Sequence, residues 1–188
     1  MSLTKKALVV AILFANFAKV DLGAQQTINT KDYSLRLVNI IDNLANPWAL
    51  AFLPDGRMLI TERAGRLNLV QGKERKLVAG LPSIYVAGQS GLMDIQLDPQ
   101  FKENSLIYFS WSKAGKGGSG TAVSQARLDE SPREGPRLVE HKIIFEMAQK
   151  TGSNIQYGSR LRFLKDGSLL IAIGDRGQRM RAQDGLDA

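Results

Sequence analysis

Three times along the chain an apolar run, a tight polar turn and a second apolar run follow one another. The first copy is Trp48–Leu53, the turn Pro54-Asp55-Gly56, then Arg57–Thr61. The second is Leu92–Leu97, a longer turn through Asp98-Pro99-Gln100, then Leu106–Trp111. The third is Arg160–Leu164, the turn Lys165-Asp166-Gly167, then Ser168–Ile173. The Asp-Gly pairs supply the positive φ angles that tight hairpins require. An antiparallel unit that cannot bury its own face must stack on copies of itself, so the pattern predicts an all-β chain, a β-propeller or related repeat sheet.

Between these hairpins further strands are predicted. Tyr33–Ile41 is a first candidate, with Leu35, Leu37 and Ile40 partly alternating, and Arg66–Val70 extends the first hairpin after the turn Arg63-Ala64-Gly65. Gly80–Gly91 reads as a loop. Met93, Ile95 and Leu97 alternate and share one face, whereas Leu106–Trp111 is evenly apolar, as for a strand covered on both sides. Lys113–Gly120 lacks P-loop spacing and reads as a flexible surface hairpin tip. Thr121–Leu128 and Lys142–Met147 are strands around a polar turn over Asp129–Arg137. No run has the period of a long amphipathic helix.

Composition changes this picture little. Apolar residues at 44% and charged residues at 23% suit an ordinary packed domain. With no Cys, a disulfide framework and thiolate chemistry are excluded. A net charge of +7 raises nucleic acid as a partner. The basic residues are scattered, however, and no nucleic-acid-binding motif accompanies them, so none is expected. Lys5 and Lys6 precede the apolar run Ala7–Ala18, too short to span a bilayer, with Gly23 and Ala24 after it. Residues 1–24 are therefore expected to be an export signal leaving no membrane span, despite Asn16 in the run and Leu22 near the cleavage point. An uncleaved anchor or a buried helix is the alternative.

Chemistry on such a fold sits in loops at one end of the channel. Three Gly-bearing polar segments flank strands: Ala87–Asp94, Asn154–Leu161, and Ile173–Arg179 running on to Asp184. Taken singly, each reads first as a structural turn, since Gly and Asp are ordinary turn residues.

Taken in order, these segments resemble the soluble quinone-dependent sugar dehydrogenases, the glucose/sorbosone dehydrogenase family, and within it the aldose sugar dehydrogenase branch. The resemblance runs from about Leu37 to Asp184. It rests on Asn46-Pro47-Trp48-Ala49-Leu50-Ala51-Phe52-Leu53-Pro54-Asp55-Gly56, on Thr61-Glu62-Arg63 with Gly65, and on Gly88-Gln89. Gly120–Val123 and Gly174-Asp175-Arg176-Gly177-Gln178 complete it. It implies a six-bladed propeller, about half of it present here, holding pyrroloquinoline quinone and calcium at the channel mouth, usually in the periplasm. A sugar is the implied substrate, oxidised at its anomeric carbon by hydride transfer to the quinone. Such a reaction needs a base for the hydroxyl proton, and histidine is the natural choice at neutral pH.

The family's base is the His of a His-aromatic-Gly-Ser/Gly-Arg-Leu motif, which here reads Gln156-Tyr157-Gly158-Ser159-Arg160-Leu161. The resemblance thus puts Gln156 at the base position, and a primary amide has no useful basicity. It assigns Asp175 to the carboxylate that orients the imidazole, and Gln89 and Gln156 to quinone contact. The Gln156 amide is one donor that could satisfy Asp175. The one histidine, His141, lies outside the motif in a charged stretch and reads as an exposed strand-edge residue.

The calcium ligands and quinone-clamping residues of the family lie beyond the equivalent of Asp184, so no metal ligand is assigned. Gly185 intervenes where the family continues directly to Leu, and the end reads as a truncation, a pseudogene product or a frame error. Two expectations follow: a sugar dehydrogenase-like chain inactive on its own, or a non-catalytic half-propeller that assembles with a second chain, a homo-oligomer included. A propeller without quinone, of the lactonase or scaffold kind, is a third, against which the matches at Gln89 and Asp175 argue.

Overall fold

The computed structural model describes residues 27–183, so the proposed export signal lies outside the described residues. Two units are distinguished, the first ending at Asn39 and the second beginning at Ile40. The first holds a short hairpin, β1 (Thr27–Asn29) with β2 (Ser34–Arg36), closed by Thr30, whose hydroxyl donates to the Tyr33 carbonyl at 2.9 Å. The strand expected over Tyr33–Ile41 is therefore only Ser34–Arg36, and Leu37, Val38 and Ile40 stay exposed outside any ladder.

The second unit is built from antiparallel blades. The first blade is β3 (Pro47–Phe52), β4 (Met58–Glu62), β5 (Arg66–Gln71) and β6 (Glu74–Val78), hydrogen-bonded in chain order. The second is β7 (Leu92–Leu97), β8 (Leu106–Gly115), β9 (Gly118–Asp129) and β10 (Arg137–Glu146), again in order. A half-blade follows, β11 (Gly158–Phe163) with β12 (Leu169–Ile173). This up-and-down arrangement, with each blade's first strand packed beside that of the next, is a β-propeller.

The Asp-Gly turns form as predicted. Gly56 and Gly167 take φ +86° and +87°, and Asp55 and Asp166 accept from the backbone N–H two residues on. In the second copy the longer turn folds into a one-turn helix, α1 (Phe101–Asn104). One expectation is corrected, and one is borne out with its ends trimmed. Lys113–Gly120 is mostly strand, because β8 and β9 stay paired to Gly115↔Gly118 and leave only Lys116-Gly117 as the turn. Around Asp129–Arg137, both end residues are paired with each other in the β9–β10 ladder. No helix among the described residues is long and apolar enough to cross a membrane.

The core lies between the blades, where Leu59, Leu67, Leu69 and Val78 of the first meet Leu92, Ile95, Ile107, Phe109 and Trp111 of the second. β7 sits between β3 and β4 on one side and β11 on the other. Its period-2 pattern therefore does not leave one face wet, and Leu92, Met93, Asp94 and Ile95 are all buried.

Asp94 is the polar member of that run, and it is fully satisfied. Its carboxylate accepts from Leu161 N at 2.7 Å, from Ile95 N at 3.0 Å and from Arg160 Nη1 at 3.2 Å. The Arg160 guanidinium lies 4.5 Å from the Trp48 ring centroid. One residue from each of three consecutive inner strands thus meets at one point. Buried hydroxyls extend the pattern: Thr61 donates to Met93 O at 2.7 Å and Ser110 to Ser159 O at 2.7 Å. By comparison, the Arg57–Glu130 pair linking two turns is partly exposed and contributes about 0–1 kcal/mol.

Asp94→Ala leaves the buried Leu161 N–H without an acceptor. We expect urea denaturation to show a loss of about 1–3 kcal/mol at unchanged slope, with Asp94→Asn losing less because an amide oxygen can still accept. Identical midpoints for Asp94→Ala and wild type would rule out this role.

Candidate active site

The site grows from the ends of strands that point the same way. Trp48 is second in β3, Arg63 follows β4, Met93 is near the start of β7, and Gly158 opens β11. The loop before β7 adds Gly88 and Gln89, and the loop before β11 adds Gln156 and Tyr157. Together these eight residues line a cleft of about 540 Å³.

The loops are tied to each other by backbone groups. Gln89 N donates to Asn154 O at 2.8 Å, and Gln156 N donates to Gln89 Oε1 at 2.7 Å. The side-chain amide of Gln89 is thus fixed through its oxygen, and its N–H groups are left as donors. Arg63 Nη1 donates to Gly88 O, bracing the same loop from the first blade. Its neighbour Glu62 is buried. Burial alone would raise that carboxyl, but hydrogen bonds from Arg66, Ala45 N and Asn68 outweigh it and hold the group below the usual carboxylate range.

After β12 the chain turns back beneath Gln156. Gly174 N donates to Tyr157 O at 3.1 Å and Arg176 N to Gln156 O at 3.3 Å. A Cβ at Gly174 would collide with the Gln156 carbonyl, so the approach requires glycine there. Left-handed backbone concentrates at this crossing: Gln156 has φ +53°, Ser159 +75° and Arg176 +58°. Among non-glycine residues, Asn, Asp and His are the ones enriched in that conformation, so the backbone at 156 suits histidine better than the glutamine it carries.

Gln89 and Gln156 are therefore brought together in the cleft, both exposed. Asp175 lies directly below but is not in the lining. Its carboxylate accepts from Gly177 N at 2.9 Å and caps that turn, rather than taking the Gln156 amide as a donor. His141 stands apart on β10. It is exposed on that edge strand, as expected, and its ring is held in place: Nε2 is 2.8 Å from Ser124 Oγ, which also accepts from the Trp111 indole N–H at 2.9 Å, and the ring stacks on Phe109. Burial holds its pKa below the usual value.

Trp48 and Arg63 lie outside the segments singled out from sequence, and Met93 and Tyr157 lie within them without an assigned role. The usable signal was positional, because each stands where a strand starts or ends at the rim that carries Gln89 and Gln156. Among the described residues no group of three or more His, Cys, Asp or Glu side chains could hold a metal ion.

The sequence profile described as Glucose / Sorbosone dehydrogenase matches residues 44–187, which include every cleft residue. The chain belongs to the glucose/sorbosone dehydrogenase family. Aldose sugar dehydrogenase YliI of Escherichia coli is 40% identical over 147 residues, covering 76% of this chain and 39% of that protein. Quinoprotein glucose dehydrogenase B of Acinetobacter calcoaceticus is 29% identical over 178 residues, covering 91% and 37%. A crystal structure of a glucose dehydrogenase superposes with TM-score 0.73 at 39% identity, covering 78% of this chain and 43% of that one. This family member thus spans about two-fifths of the length of such relatives.

The lowered pKa of His141 fixes a sign. The unfolded chain binds the proton more readily, so stability is full above about pH 6.5 and is lost as pH falls through the lowered folded value. Melting temperature should drop as pH falls below about 6.5, and the drop should shrink in His141→Gln. Equal drops in both proteins would refute the assignment.

Proposed function

We propose that this chain carries the quinone-binding cleft of an aldose dehydrogenase whose base position is occupied by an amide, so that it has no turnover of its own. The single observation that carries the reading is the Gln156 N–H···Oε1 Gln89 bond at 2.7 Å. It joins, inside one cleft, the two residues that the family resemblance assigns to the quinone. The names of the relatives support the ligand class, one being a quinoprotein and one an aldose sugar dehydrogenase.

The residues present fit pyrroloquinoline quinone. The free amide N–H groups of Gln89 and Gln156 suit the ring carbonyls, Arg63 suits a carboxylate, and the Trp48 and Tyr157 rings give the lining a planar apolar component. When bound, the quinone supplies the acceptor for the hydride from C1 of the sugar. The protein's part is to orient that carbon and to take the proton from its hydroxyl. Gln156 can hold the hydroxyl by a hydrogen bond but cannot accept its proton at neutral pH. Asp175 does not replace it, being turned to Gly177.

An export signal over residues 1–24 would place the chain in the periplasm or outside the cell, where a sugar substrate is available. The second reading, a half-propeller that pairs with another chain, is favoured by the exposed apolar side chains Leu50 and Phe52 on the edge strand β3 and Leu170 on β12. Size-exclusion of the folded chain distinguishes it by a discrete oligomer.

Titration of the full chain with pyrroloquinoline quinone, with and without added calcium, tests the first reading. We expect saturable binding, aldose oxidation at background, and a gain of roughly 10²–10⁴-fold in the bound Gln156→His variant, the usual contribution of a general base. Absence of quinone binding, or turnover by the wild type equal to that of Gln156→His, would overturn it.

A further inference from the structure

Arg176 is a charged residue with 1% exposure that lies behind the cleft rather than in its lining. Burying a guanidinium is costly unless it is paired, yet its partners among the described residues are carbonyls and a ring, not a carboxylate. Nη1 donates to Ile155 O at 3.0 Å. Nη2 donates to Ser153 O and, at 3.4 Å, to Ser119 O. The guanidinium carbon sits 3.4 Å from the centroid of the Tyr157 ring, and Nε is buried without a partner. Through its backbone N–H the same residue also reaches Gln156 O.

One side chain and one amide therefore touch residues 153, 155, 156 and 157 in turn. That loop has little else to hold it by hydrophobic burial: Ile155 and Gln156 are exposed, and Gln156 is in a disfavoured left-handed conformation. Tyr157 is the buried residue of the loop, and its hydroxyl meets Ser119 Oγ at 2.6 Å, so the Arg176 plane closes over a ring already fixed at its far end. A lysine could retain the charge but not the planar fork, and a methionine could retain the bulk but neither.

We infer that Arg176 is the positioning residue of the cleft, a buried fork that sets the loop of residues 153–157 and so places Gln156 and Tyr157 against Gln89. The functional part of this inference rests on the quinone-cleft reading; the structural part does not.

The test compares the full chain with Arg176→Lys and Arg176→Met by peptide-resolved hydrogen exchange and by titration with pyrroloquinoline quinone. In both variants, exchange over residues 153–157 should speed up by about tenfold or more while residues 58–71 of β4 and β5 keep their protection. The quinone should bind about tenfold more weakly to both, with retention of charge in the lysine variant giving no rescue. Unchanged exchange over 153–157 in the lysine variant would overturn the inference. So would equal loss of protection over 58–71, which would make Arg176 a general core residue, or a loosened loop with unchanged quinone affinity. If the wild type binds no quinone, the cleft reading fails, and the exchange comparison still decides whether Arg176 sets the loop.

Discussion

Neighbouring blades share no extended hydrogen-bonded ladder, only single backbone links such as Leu92 N to Arg63 O and Leu138 N to Ala79 O, so other backbone groups at their junctions need partners from elsewhere. Small buried side chains supply them. Asp94 serves the junction of β7 with β11, Thr61 that of β4 with β7, and Ser110 that of β8 with β11. Thr121 donates to Tyr157 O at 2.9 Å and does the same for the loop before β11. Apolar burial between the blades provides most of the driving force, as in any packed core. The polar pegs decide the offset at which the blades can stack, because a shifted stack would leave a buried N–H or carbonyl unmatched.

The cleft depends on the same offset. Its walls come from three blades and two loops, and the bonds that close it are nearly all to backbone atoms. This explains why glycine and left-handed residues gather there: the chain crosses itself too closely for ordinary side chains and ordinary φ. Gln156 has φ +53°, a region in which Asn, Asp and His are the enriched non-glycine residues.

The hairpins were legible because Asp-Gly turns and apolar runs are local signals. The strand limits were less so. Lys113–Gly120 looked like a loop because its glycines are usually turn residues, and only the long pairing of β8 with β9 shows them inside a ladder. Asp94 was visible in a candidate segment, but its role needs a backbone N–H from Leu161, which sequence does not place next to it. Gln89 and Gln156 were named through the resemblance, and the fold brings them together in one cleft. Arg176 was named in the same motif as one member of a polar turn, and nothing in a polar stretch announces a buried guanidinium.

The two tryptophans of the chain occupy opposite settings. Trp111 is sealed in the core with its indole N–H on Ser124, whereas Trp48 stands half-buried in the cleft wall under the Arg160 guanidinium. Their emission therefore carries two separate messages. Trp48 senses what enters the cleft and whether the three inner strands still meet, and Trp111 senses only whether the second blade is intact. The fold holds its own pair of optical probes, one for occupancy and one for integrity.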